Sequence, residues 1–123
     1  MIIQIQTMSG EQVEGARWDI PVPAGLQENQ SFAILLPCED KKLVTYISKV
    51  KNSECYVDVD EGKTSVVLSF RVSRIRHMLT INSSKTETLC YLTPSHRAVE
   101  QVMVYMLTPG KADKRLVSIL ESN

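Results

Sequence analysis

The stretch Thr64 to Ile81, TSVVLSFRVSRIRHMLTI, constrains the fold more than any other part of the chain. It contains no glycine, proline or turn pair, and apolar residues alternate through it. Val66, Leu68, Phe70 and Val72 occupy even positions, and Ile75, His77, Leu79 and Ile81 continue on odd ones. Period-2 alternation rich in β-branched residues is the signature of a half-buried strand. A change of phase inside one strand would turn the core face outward. The pattern therefore predicts a β-bulge at Ser73 and Arg74, whose extra residue restores the phase. Length points to the same place. Eighteen extended residues span roughly 60 Å, against about 35 Å for a compact domain of this size, so the strand is expected to bend near its middle, as at a barrel or sandwich corner.

With the phase repaired, Arg71 and Arg76 face solvent, Arg74 sits on the bulge, and His77 falls on the inward side. Three arginines on one outer surface make a candidate patch for phosphate or carboxylate groups, which guanidinium holds in bidentate fashion. The competing reading is an ordinary solvated sheet face.

The rest of the chain reads as short strands separated by turns. Ile2–Met8 and Val13–Ile20 flank Ser9-Gly10, and Pro21, Pro23 and Gly25 interrupt regular structure before Ser31–Leu36. Leu43–Val50 reads as a further strand. Glu54–Val59 pairs with the long strand through a two-residue Glu61-Gly62 loop. That register sets Asp60 against Lys63, Val59 against Thr64, Val57 against Val66 and Cys55 against Leu68. Glu87–Leu92 is the last strand. The period then changes. Thr93-Pro94 offers an N-cap and a first-turn proline, residues 98–107 carry a wide apolar face, Pro109-Gly110 stops that helix, and Asp113–Glu121 reads as a second one.

The expected fold is α+β and mainly β: an antiparallel barrel or sandwich of seven to eight short strands (residues 1–92) followed by a helical hairpin (93–122), in one domain spanning 1–123. A chain of 123 residues is long enough to build a core without disulfide or metal staples. Three cysteines, Cys38, Cys55 and Cys90, are odd in number and lack a CxxC, and the N-terminus has no basic region followed by a long apolar run. Free thiols in a reducing cytoplasm are expected, and no apolar run suits a membrane span. Net charge is zero, which disfavours a generic nucleic-acid binder. Charge is unevenly placed, however: residues 1–62 carry ten acidic and five basic side chains, and residues 63–123 four and nine. Such polarity suits head-to-tail association or steering of a charged partner.

Motifs for chemistry are sparse. Gly62-Lys63-Thr64 lacks the earlier glycine of a phosphate loop and sits in a hairpin rather than between strand and helix. Asp58-Val59-Asp60-Glu61-Gly62 lacks the third ligand before the glycine and the distal glutamate of a calcium loop. His96 beside Ser95 does not have the geometry of a base and its nucleophile. No cofactor, metal site or catalytic residue is assigned. Val102–Leu107 is apolar all round, which makes Met103, Val104 and Met106 a candidate partner interface. The leading expectation is a non-enzymatic protein-interaction domain, of the inhibitor, immunity, adaptor or phage-accessory kind, able to associate with itself. Nucleic-acid or anionic-ligand binding through Arg71, Arg74 and Arg76 comes second. A small-molecule or enzyme site in a barrel mouth, with His77, comes third.

Overall fold

The computed structural model describes residues 1–21 and 25–122; Pro23 lies outside the described residues. Six strands form one sheet: β1 (Ile2–Gln6), β2 (Gln12–Asp19), β3 (Ser31–Pro37), β4 (Cys55–Asp60), β5 (Lys63–Thr80) and β6 (Lys85–Pro94). Three helices accompany it: α1 (Lys41–Val50), α2 (Arg97–Leu107) and α3 (Lys114–Glu121). The strand order is β2-β1-β6-β5-β3, with β4 also pairing β5. All pairings are antiparallel except β1 with β6, which is parallel. The sheet does not close into a barrel, and among the described residues there is no second sheet to make a sandwich.

One of the expected strands accounts for the lower count. The long stretch is a single strand, as its pattern indicates, and Leu43–Val50 is helix. Its β-branched residues imitate a strand, but Asp40 caps the segment, its Oδ1 accepting from the backbone N–H groups of Lys42 (3.1 Å) and Leu43 (3.2 Å). Leu43 and Ile47, four apart, are both buried on the inner side. Lys51 ends the helix with φ 52°, and its N–H bonds back to the Ile47 carbonyl.

The hairpin register is the expected one in every pair: Asp60↔Lys63, Val59↔Thr64, Val57↔Val66 and Cys55↔Leu68. Glu61 and Gly62 both take positive φ (49° and 76°), the geometry of a primed turn matched to strand twist. At the other end, β6 continues two residues further than the sequence pattern indicated. Thr93 and Pro94 stay on the ladder opposite Arg71 and Phe70, so they do not start α2. The cap is His96, whose Nδ1 accepts from the Ala98 N–H at 3.0 Å.

The core lies between the sheet and the helices. Ile3, Ile5, Val66, Leu68, Phe70, Val72, Cys90 and Leu92 meet Leu43 and Ile47 of α1, Val99, Val102 and Met103 of α2, and Leu116 and Leu120 of α3. The helices therefore cover one face of the sheet and leave the other without a helix. Met103 belongs to this core at 1% exposure, and Val104 and Met106 are half-buried. Met103 is thus packed within the chain, while Val104 and Met106 keep part of their surface in solvent. None of the described helices is long and apolar enough to cross a membrane.

Candidate functional site

The register of β5 against β6 shifts between Val72 and Arg74, at the predicted bulge. Ser73 is the extra residue. Its Oγ donates to the Tyr91 carbonyl at 3.0 Å, which ties the bulge to the neighbouring strand. Beyond it Arg71 faces Thr93, Arg74 faces Tyr91 and Arg76 faces Leu89. Leu89, Tyr91 and Thr93 alternate along an unbroken strand, so they share a face, and Val72 and Leu92 on the opposite face are fully buried. All three arginines consequently stand on the helix-free side, and each is exposed.

Sequence reasoning missed a fourth. Tyr91 also pairs with Gln4 on β1, and Gln4 with Arg17 on β2. One row across the sheet therefore reads Arg17–Gln4–Tyr91–Arg74, with its two arginines about 14 Å apart at three strand spacings. Nothing local in the sequence reveals this row, because it depends on the parallel β1–β6 pairing. The floor of the patch is buried: Gln4 at 4%, Leu89 at 5% and Tyr91 at 8%. Gln4 is satisfied there, its Nε2 donating to the carbonyls of Ile5 (2.9 Å) and Val13 (3.2 Å). Such a floor suits a long arginine stem, which can cover apolar surface with its head in water.

The patch is short of counter-charge. Among the described residues the ion pairs are Met1 amine–Asp19 (3.3 Å) and Lys111–Glu14 (3.7 Å), and none involves an arginine. Glu28 and Glu87 sit at the margins. Glu28 Oε1 accepts from the Ile75 N–H at 3.3 Å, and Glu87 lies opposite Met78.

Past the patch the two strands continue alone. Pairing of β3 to β5 ends at Arg71 and pairing of β1 to β6 ends at Leu89, whereas β5 and β6 pair out to Thr80↔Lys85. Every residue from Arg76 to Glu87 is exposed. The strand thus resolves its excess length by leaving the body as a two-stranded arm instead of turning a barrel corner. Met78, Leu79 and Ile81 are 45%, 66% and 82% exposed along it. His77 does lie on the side that is core further back, but no described helix or third strand covers the arm there, so it is exposed and not internal. Its Nδ1 is 3.1 Å from Thr88 Oγ1.

The remaining chemical candidates are dispersed. Ser95 Oγ donates to Glu54 Oε2 and to the Ser69 carbonyl, both at 2.9 Å, and so is engaged away from His96. Hydrogen bonds from Ser69 and Ser95 hold the Glu54 carboxyl below its usual range. Burial pushes the Cys55 thiol up to about 11 and also raises Cys90. All three cysteines are free and buried. No cluster of three or more His, Cys, Asp or Glu side chains suited to a metal ion occurs among the described residues. The barrel mouth in which a small-molecule site was expected does not form. A groove of about 690 Å³ does lie between α1 and the β4–β5 turn, with Glu39, Lys41 and Lys63 on its walls.

The chain matches no protein-family model, no curated protein and no solved structure.

Proposed function

We propose that this protein is a non-enzymatic interaction domain whose contact element is the arm formed by the outer halves of β5 and β6. The exposure of Met78, Leu79 and Ile81 on one projecting hairpin carries the reading. Neighbouring apolar side chains held in water mark a contact surface more often than a scattered few do, and from Arg76 to Glu87 the arm contributes no core residue. Such an element suits a small protein that acts by occupying another molecule, as an inhibitor, immunity factor or adaptor does. Capture from source-cell extract by the wild-type chain and by a Leu79→Ser/Ile81→Ser variant tests this. Loss of the retained partner in the variant supports the reading, and identical capture removes it. Self-association is tested by light scattering, where a monomer at high concentration overturns it.

A second reading rests on a separate observation. Arg17, Arg71, Arg74 and Arg76 stand on one helix-free sheet face, and among the described residues none of them forms an ion pair. Guanidinium groups so placed suit a polyanion such as nucleic acid, with phosphates contacted directly and affinity falling steeply with salt.

A further inference from the structure

We infer that the arm is a ribbon for duplex DNA, with arginines that neutralise phosphates at its base and an apolar wedge at its tip. The inference rests on the second, polyanion reading and specifies its partner and mode. Its starting point is the order of side chains along the ribbon. Arg71, Arg74 and Arg76 come first, on the helix-free face, and Met78, Leu79 and Ile81 follow, with Lys85 on the returning strand. From Ser73 to Thr88 the ribbon carries the cations Arg74, Arg76 and Lys85 against one carboxylate of its own, Glu87, and Glu28 reaches it from outside at Ile75. A wholly apolar contact would not need that excess, and a purely electrostatic one would not need the tip.

Duplex DNA uses both. Phosphates line each edge of its grooves, and apolar side chains such as Ile, Leu and Met wedge between base pairs from the minor groove, kinking the helix by roughly 20–90°. Shape agrees with this layout. From Arg74 to Thr80 the strand advances about 20 Å, enough to set the tip well beyond the guanidinium groups. The tip is slim: a single 3₁₀ turn, Ile81–Ser83, closed by Ser84 at φ 51°. Asn82, Ser83, Ser84, Thr86 and Thr88 add small donors and acceptors of the kind that contact phosphate and sugar. Ile81, at 82% exposure, is the most exposed large apolar side chain among the described residues.

The test uses the full chain and a mixed-sequence 30-base-pair duplex carrying a donor–acceptor dye pair at its ends. Anisotropy should report binding that weakens about 40-fold between 50 and 200 mM salt, the fall for roughly three neutralised phosphates. Arg74→Ala with Arg76→Ala should weaken binding at low salt and reduce the salt slope by about 2. Energy transfer should rise on binding as the duplex kinks. Leu79→Ser with Ile81→Ser should keep the salt slope and abolish that rise; circular dichroism confirms that this variant is folded. Absence of binding at 50 mM salt overturns both the polyanion reading and the wedge. Salt-dependent binding without a change in energy transfer, or with a change that the tip variant retains, overturns the wedge alone. A dimer in light scattering that the tip substitutions dissolve assigns the tip to a second copy and likewise overturns the wedge.

Discussion

The two halves of β5 have the same kind of sequence and opposite surroundings. Val66, Leu68, Phe70 and Val72 alternate through the first half and Ile75, His77 and Leu79 through the second. In the first half each alternating residue is fully buried, with β3 on one edge of the strand, β4 and then β6 on the other, and three helices above. In the second, Ile75 is half-buried and His77 and Leu79 are exposed, because β6 is the only paired strand and no helix reaches that far. Alternation records which side of a strand is apolar. Whether anything covers that side is decided by elements elsewhere in the chain, and a covered strand and a contact arm are written alike.

The largest effect that separates the halves is in folding. Phe70 is fully buried in the core cluster that also holds Leu43, Val99 and Met103. Phe70→Ala should cost about 3–5 kcal/mol of unfolding free energy through lost burial and the cavity left behind. Urea denaturation measures it. A cost near 1 kcal/mol would show that the first half is no more essential to the core than the arm. Amide exchange sharpens the contrast: Val66–Val72 should exchange through global unfolding, and Arg76–Glu87 through much cheaper local opening.

How much of this was legible in the sequence follows from the range of each interaction. The β4–β5 register could be read because a two-residue turn fixes pairing over adjacent residues, and Asp60↔Lys63 through Cys55↔Leu68 obeyed it. The bulge at Ser73 could be read because the phase error lies within one strand. The α1 helix was misread because Val44, Thr45 and Ile47 favour strands locally. The informative signals were the Asp40 cap and the i, i+4 pair Leu43 and Ile47, and these compete weakly with β-branched composition. Arg17 was missed because it joins the patch through β1, which reaches β6 from the far end of the chain. Alternation sets His77 on the correct side of its strand and does not record that this side is uncovered, for the reason that divides the two halves of β5.

Next in expected size is the alkaline limit of the covered half. Cys55 faces Leu68, and burial raises its thiol from an ordinary 9.0 to about 11. Between those values the unfolded chain has released the proton and the folded one retains it. Stability should therefore fall as pH rises through that window, and Cys55→Ala should remove part of the slope in denaturation measured from pH 8 to 11. A thiol that reacts freely with a disulfide reagent at pH 8 in the native state would contradict the burial. A smaller effect is expected at the start of α1. Asp40 accepts from two backbone N–H groups and from the Tyr105 hydroxyl of α2 at 3.1 Å, so Asp40→Ala should cost about 1 kcal/mol through the lost cap.

The smallest expected change is the one that most tests the comparison. Leu79 is as apolar as Leu68 and sits on the corresponding face of the same strand, yet it is 66% exposed where Leu68 is 0%. If the arm contributes only contact surface, Leu79→Ser should shift the unfolding free energy by no more than about 0.5 kcal/mol, the range of surface substitutions remote from special features. The direction is informative as well. Replacing an exposed leucine removes apolar area that water must cover in both folded and unfolded chains, so little of its hydrophobic contribution is at stake in folding. The loss of side-chain volume leaves no cavity, because no second side chain closes over the site. Equilibrium denaturation at two protein concentrations checks this. A cost above 2 kcal/mol that is the same at both would mean that the arm folds back onto the body in solution and that the two halves of β5 are one covered strand. A cost that grows with concentration would mean that Leu79 is buried against a second copy.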